Sequence, residues 1–328
     1  GCQSDSSSSV SQSNETVVIT ETRTKRMPLE LSLLSAAMDI IGFAQPSLLN
    51  DAFLAAFGAI GYATASVKED DTIDVDGMDM LYFAPPSSDS QRVIMYIHGG
   101  GFSSNYVNGH LLYAEYLSQT HNAHVYFPKY TNSGSVTYPT STNNVFKAYQ
   151  YVVNTLGHDP HQLMVMGDSA GGNATLSLMV RIRSEGARMP AAAATFSAWA
   201  DLTSTAEAYE SKRETDVSLS KERMQGYTDK YTAQTNEPLT HPEISPARAD
   251  FFGFPPLLIF VSLDEILLED SDRMFEQAKK AGIDVSYFKY SAPNGKLPHG
   301  WPIMANTGEL GEDVNREVAT FVNKYTRD

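Results

Sequence analysis

The sequence predicts an α/β fold, with a mostly parallel central sheet and helices on both faces. Three observations predict it. From about residue 71 onward, short apolar runs bounded by turn residues alternate with segments of helical period. One such run, Leu163 to Met166, stops at Gly167 and passes through Asp168-Ser-Ala-Gly-Gly172 into a helical pattern, a strand–turn–helix unit. The chain has 328 residues and is 42% apolar, enough for one large core.

Taken in order, residues 1–27 are polar and rich in Ser, Thr and Gln, and read as a disordered tether. Residues 28–328 then form one domain. Leu31, Leu34, Ala37 and Ile41 recur at helical spacing, as do Leu54, Phe57 and Ile60, with Pro46 between the two helices. Met78 to Phe83 and Arg92 to Ile97 read as strands joined by Pro85-Pro86-Ser-Ser-Asp-Ser90. A helix near 111–119, a strand at 123–127 and a helix at about 144–156 follow. The Leu163 strand and its helix run to about 184, and Ala191 to Ser197 is the next strand. Residues 201–250 are polar and helical and break the alternation, as an insertion outside the sheet would. The sheet resumes at Pro255 to Val261, then a helix at 270–281, a strand at 284–290 and a closing helix from about Glu312.

The formal net charge of −15 argues against nucleic-acid binding and against docking on anionic lipid. No apolar run reaches the length of a membrane span. The one cysteine, Cys2, cannot form an internal disulfide. Its setting, Gly1-Cys2-Gln-Ser-Asp-Ser-Ser-Ser-Ser9, resembles the end of a bacterial lipobox, where the cysteine carries the lipid. That reading places the protein outside the cytoplasm, lipid-anchored at the bacterial cell envelope. If Cys2 is incidental, the location is cytoplasmic. Monomer and homodimer both fit the sequence.

Chemistry concentrates on Ser169, at the tip of the Gly167-Asp-Ser-Ala-Gly171 turn. A serine hydroxyl is a weak nucleophile and needs a base, a group to orient that base, and donors for an oxyanion. The donors are expected after the Arg92 to Ile97 strand, in His98-Gly99-Gly100-Gly101, as the N–H groups of Gly100, Gly101 and Ala170. No lysine follows in a phosphate-loop position. Of eight histidines, His299 alone follows the last predicted strand, in Leu297-Pro-His-Gly-Trp301, and it takes the role of base. Ser262 to Asp270 offers Asp264 and Glu265 side by side for the orienting acid, and chemistry does not choose between them. Glu269 and Asp270 read as helix-start residues. Phe102 is expected to line the pocket, with a plain core aromatic as the other reading.

These motifs in this order, with the segment Ser245-Pro-Ala-Arg-Ala-Asp250 ahead of the acid, resemble the hormone-sensitive-lipase-like (bacterial family IV) α/β-hydrolase esterases over roughly residues 70–325. The resemblance implies a sheet of about eight strands. It implies a helical cap, here residues 28–66 with about 201–250. It also implies hydrolysis of short- to medium-chain acyl esters with neither metal nor organic cofactor. Laid on without gaps, the family pattern puts the acid at Glu265 and displaces Asp264 by one, although the family more often uses Asp. Two departures stand out. Lys129 to Pro139 replaces a run that usually supplies a bracing arginine and acid, and Asn294-Gly-Lys296 lengthens the approach to His299. The reading is a serine carboxylesterase acting on small-molecule esters. The alternatives are a deacetylase of carbohydrate or other natural acetyl esters, a peptidase of the same fold, or a ligand-binding protein without turnover. Receptors resembling this family lose the histidine that this chain has.

Overall fold

The computed structural model describes residues 15–44, 67–132, 134–304 and 307–326. Cys2, most of the expected tether, and the expected helix around Leu54, Phe57 and Ile60 lie outside the described residues. Nine strands form one sheet: β1 Val18–Thr24, β2 Asp71–Val75, β3 Met78–Phe83, β4 Val93–Ile97, β5 His124–Pro128, β6 Leu163–Asp168, β7 Ala192–Phe196, β8 Leu257–Ser262 and β9 Val285–Ser291. Their order across the sheet is β1-β9-β8-β7-β6-β4-β5-β3-β2. Pairing is parallel from β1 through to β5, and antiparallel where β3 joins β5 and β2.

Strands β4, β6, β7 and β8 are buried at every position. Their side chains point alternately to two separate cores. Val93, Met95 and Ile97 enter one, while Ile94 and Tyr96 enter the other. A sheet covered on both faces has this near-continuous apolar reading, which is why the central strands stand out in the sequence.

The edges differ from the expectation. Residues 18–24 are not part of a disordered tether. They form β1, paired in parallel with β9 from Val18 opposite Val285 to Thr24 opposite Ser291. Five of the first six carry the exposed pattern, so no apolar run marks them. The β-branched alternation of Val-Ile-Thr-Glu-Thr-Arg-Thr is the signal that the polar composition masked. Arg23 fastens the strand, reaching Asp313 at 2.9 Å and Glu317 at 2.8 Å, and lying over the Phe288 ring. At the other edge, Asp76-Gly77 turns β2 back on β3, both with positive φ, as a tight hairpin requires.

Between β7 and β8 no described residue joins the sheet. Residues 201–250 hold a short helix, Ala208–Ser211, a longer one, Lys221–Tyr231, and a 3₁₀ turn, Pro246–Arg248. A helix, Leu29–Ala44, covers the expected first part of the N-terminal segment. The helix expected at 144–156 runs from Thr140 to Gln150 and widens into a π turn over Tyr151–Thr155. Among the described residues, no helix is long and apolar enough to cross a membrane.

Candidate active site

Ser169 stands between the end of β6 and the helix Ala170–Ser184, with φ 52° and ψ −120°. A residue with a side chain holds such angles only when its surroundings impose them. The surroundings here are glycines. A Cβ on Gly167 would stand 2.2 Å from the Gly171 carbonyl oxygen, and one on Gly171 would stand 2.0 Å from the Ile97 carbonyl oxygen. Helix and sheet therefore approach more closely than any larger residue permits.

Three distant segments meet at this turn. Ser169 Oγ lies 2.8 Å from His299 Nε2, and His299 Nδ1 lies 2.7 Å from Glu265 Oε1. Glu265 is fully buried. Its other oxygen, Oε2, accepts from the Ser262 N–H at 2.8 Å and from Ser197 Oγ at 2.7 Å. With both carboxylate oxygens engaged, Nδ1 is the protonated nitrogen and Nε2 is left to accept the serine proton. Burial by itself lowers the basicity of His299. The hydrogen bond and charge of Glu265 outweigh it, and the imidazolium titrates above its ordinary 6.5. A hydroxyl, imidazole and carboxylate bonded in this order can move a proton away from the hydroxyl oxygen as that oxygen attacks.

Asp264, the other candidate acid, uses its carboxylate elsewhere. Its Oδ2 accepts from the Leu297 N–H at 2.9 Å, two residues before His299. Burial raises its pKa. Asp216, which the sequence reading passed over, grips the same region. It accepts from the N–H groups of Ser218 and Leu219 at 2.9 and 2.8 Å and of Ile266 at 2.8 Å. Burial and the nearby Glu265 push its pKa up to about 6. Ser218 in turn accepts from His299 N at 2.9 Å. Glu269 and Asp270 do begin a helix, Leu268–Ala281, but they also reach across to the 200–208 segment. Glu269 accepts from Ala208 N, and Asp270 accepts from the N–H groups of Ala200 and Asp201 at 2.9 and 3.0 Å.

The glycine loop is held from below. Asp168 accepts from Gly99 N at 3.0 Å and from Tyr96 OH at 2.6 Å, and meets His110 Nε2 at 3.2 Å. Burial would raise the Asp168 pKa, but His110 and the hydrogen bonds hold it below the usual carboxylate range. Tyr130 OH donates to His98 O at 2.7 Å. The buried His98 is itself pushed down to about 3, first by burial, and is a neutral imidazole. Gly100 and Gly101, at φ 125° and 61°, line the cleft with Ser169 and His299. Ala170 opens its helix, where an N–H has no intrahelical acceptor. His110 carried no sequence signal; Asp168 carried one, as the residue before the turn serine.

Phe102 does not line the cleft. It is buried and stacks on Tyr231, with ring centroids 3.9 Å apart and planes 10° apart. A position after the glycines fixes proximity but not direction, and φ 57° turns this ring into the core. The cleft, of about 50 Å³, is walled instead by Val107, Leu219, Met224 and Tyr227, the last three from the 201–250 segment. The missing brace near 129–139 also has a substitute. Tyr138 OH donates to Glu243 Oε2 at 2.8 Å, and Arg181 pairs with the same carboxylate at 2.6 and 3.1 Å.

The alpha/beta hydrolase fold family matches residues 94–301. An acetyl-hydrolase of Streptomyces hygroscopicus is 28% identical over 232 residues, 71% of this chain and 75% of that protein. An esterase of Acinetobacter venetianus is 30% identical over 231 residues, 68% of this chain and 76% of that protein. The crystal structure of an esterase from the bacterial hormone-sensitive lipase family aligns with a TM-score of 0.78 at 24% identity, covering 91% of this chain and 99% of that one. The chain belongs to the alpha/beta hydrolase fold family and is a carboxylic ester hydrolase.

Proposed function

We propose that this esterase works through an acyl-enzyme on Ser169, with His299 as base and then acid, Glu265 orienting it, and the N–H groups of Gly100, Gly101 and Ala170 holding the oxyanion. The contact chain from Ser169 Oγ through His299 to Glu265, at 2.8 and 2.7 Å, is the observation that carries this reading. Ser169 Oγ bonds to the acyl carbon while its proton passes to His299 Nε2. Negative charge develops on the former carbonyl oxygen among the three N–H donors. The carbon–alkoxy bond breaks as His299 returns the proton to the leaving alcohol. Water then attacks the acyl-enzyme, giving its proton to His299, and the acid leaves with Ser169 restored.

The Streptomyces relative named an acetyl-hydrolase supports the acetyl end of the short- to medium-chain range. The test is a burst with p-nitrophenyl acetate. About one equivalent of p-nitrophenol per chain should precede steady turnover, with the acetyl group recovered on the Ser169 peptide. Turnover without any acetyl group on Ser169 would overturn the acyl-enzyme reading. A series of esters graded by acyl length, together with acetylated sugars and peptides, separates the enzymatic readings.

The Gly1-Cys2 pair and its serine-rich run support lipid attachment at Cys2 and a place at the cell envelope. Mass spectrometry of protein from its native host should find the lipid on Cys2, and an unmodified Cys2 would end that reading.

A further inference from the structure

Residues 294–296, the stretch that lengthens the approach to His299, are gripped by the N-terminal arm that runs from Met27 through the helix Leu29–Ala44. The Asn294 side chain clasps the Met27 backbone, accepting from its N–H at 2.9 Å and donating to its carbonyl at 2.9 Å. Ser32 Oγ donates to Asn294 O at 2.6 Å, and Ser35 Oγ donates to Lys296 O. Lys296 Nζ reaches the Asp39 carboxylate at 3.0 and 3.1 Å and Glu214 O at 2.9 Å. The chain then continues without slack. Leu297 N is tied to Asp264, and His299 N is tied to Ser218.

These contacts are not equal. Lys296 and Asp39 are about a third and a half exposed, and an exposed ion pair adds little. Ser35 is 2% exposed, so losing its hydroxyl leaves the Lys296 carbonyl without its buried donor. The Asn294 amide makes two bonds to one residue, which fixes its register as well as its distance. Asn294 and Ser35 therefore hold the segment, and Lys296 adds a weaker tie.

We propose that Asn294–Lys296 is a latch through which the N-terminal arm positions His299, so that seating of the helix Leu29–Ala44 sets the alignment of the imidazole with Ser169. The proposal rests on reading His299 as the base. Asn294 and Ser35 are positioning residues: Asn294 stands five positions before His299, and Ser35 acts through Lys296, three positions before it. Small displacements matter here, because a misplacement of about 1 Å can lower turnover on the order of 100-fold.

The test is the double variant Asn294→Ala/Ser35→Ala on p-nitrophenyl acetate. We expect kcat to fall on the order of 10-fold, with KM within about twofold of the parent. The charged groups facing His299 are Glu265, Asp216 and Asp168. As the Glu265 contact loosens, the ascending limb of the pH–rate profile should move to lower pH, which a loss of folded protein alone would not produce. A folded double variant with unchanged kcat and an unmoved limb overturns the latch. So does a rise in KM alone, which would make the arm a wall of the cleft. If the double variant does not fold, the single variants, each keeping part of the clasp, are judged by the same criteria. Turnover surviving in His299→Ala overturns the reading of His299 as base, whatever the latch variants do.

Discussion

Replacing Ser169 with alanine is expected to lower kcat on ester substrates by on the order of 10⁵- to 10⁶-fold, the range seen when a serine nucleophile of this type is removed. The fold should survive. The strained φ of 52° is imposed by the glycine-lined approach of helix and sheet, and alanine meets the same imposition as serine. The hydroxyl's one charge-relevant partner is His299 Nε2, which then faces the cleft. Turnover with p-nitrophenyl acetate, read beside a circular-dichroism melt, checks the result. Activity retained in a folded variant would move the nucleophile elsewhere.

The second large effect separates two adjacent carboxylates. Glu265→Gln should lower kcat by on the order of 10⁴-fold, as loss of the orienting acid does in serine hydrolases. An amide cannot stabilise the imidazolium, and its NH₂ group competes with the Nδ1 proton for the same contact. Asp264→Asn keeps an oxygen for the Leu297 N–H and should cost about 10-fold or less, as a loosened support. The pH profile gives an independent sign. In the proposed mechanism His299 must be neutral to take the serine proton, and Glu265 holds its pKa above 6.5, so activity in the parent is expected to fall as pH drops through that raised value. Without the carboxylate, burial dominates and lowers the pKa, so the ascending limb should move to lower pH while the plateau collapses. The reverse ranking of the two variants would transfer the orienting role to Asp264.

Much of this architecture was legible in the residues. The central strands are buried on both faces, so they appear as unbroken apolar runs, and Gly167 and Gly171 mark a turn that no other residue could occupy. Ser169, Glu265 and His299 do meet in space, as the order of their motifs implied, and the nine-stranded sheet matches the expected class. What escaped lacks either apolarity or locality. Strand β1 is exposed along nearly its whole length, so composition hid it. Asp216 and His110 act through contacts that join residues tens of positions apart, as Asp216 with Ile266 and His110 with Asp168. Phe102 was near the right place but faces Tyr231, because sequence position does not specify which way a ring points.

The pairing of β1 with β9 carries a consequence for how the chain is made. Val18 finds its partner, Val285, 267 positions later. At ribosomal speeds of about 5–20 residues per second, the first strand emerges some tens of seconds before the strand it will join exists. Through that interval residues 18–24 have no native ladder to enter, and the sheet can close at this border only once residues 285–291 have been made. The ladder between β1 and β9 thus waits on the strand made last among the nine, and it ties the earliest strand of the sheet to the latest.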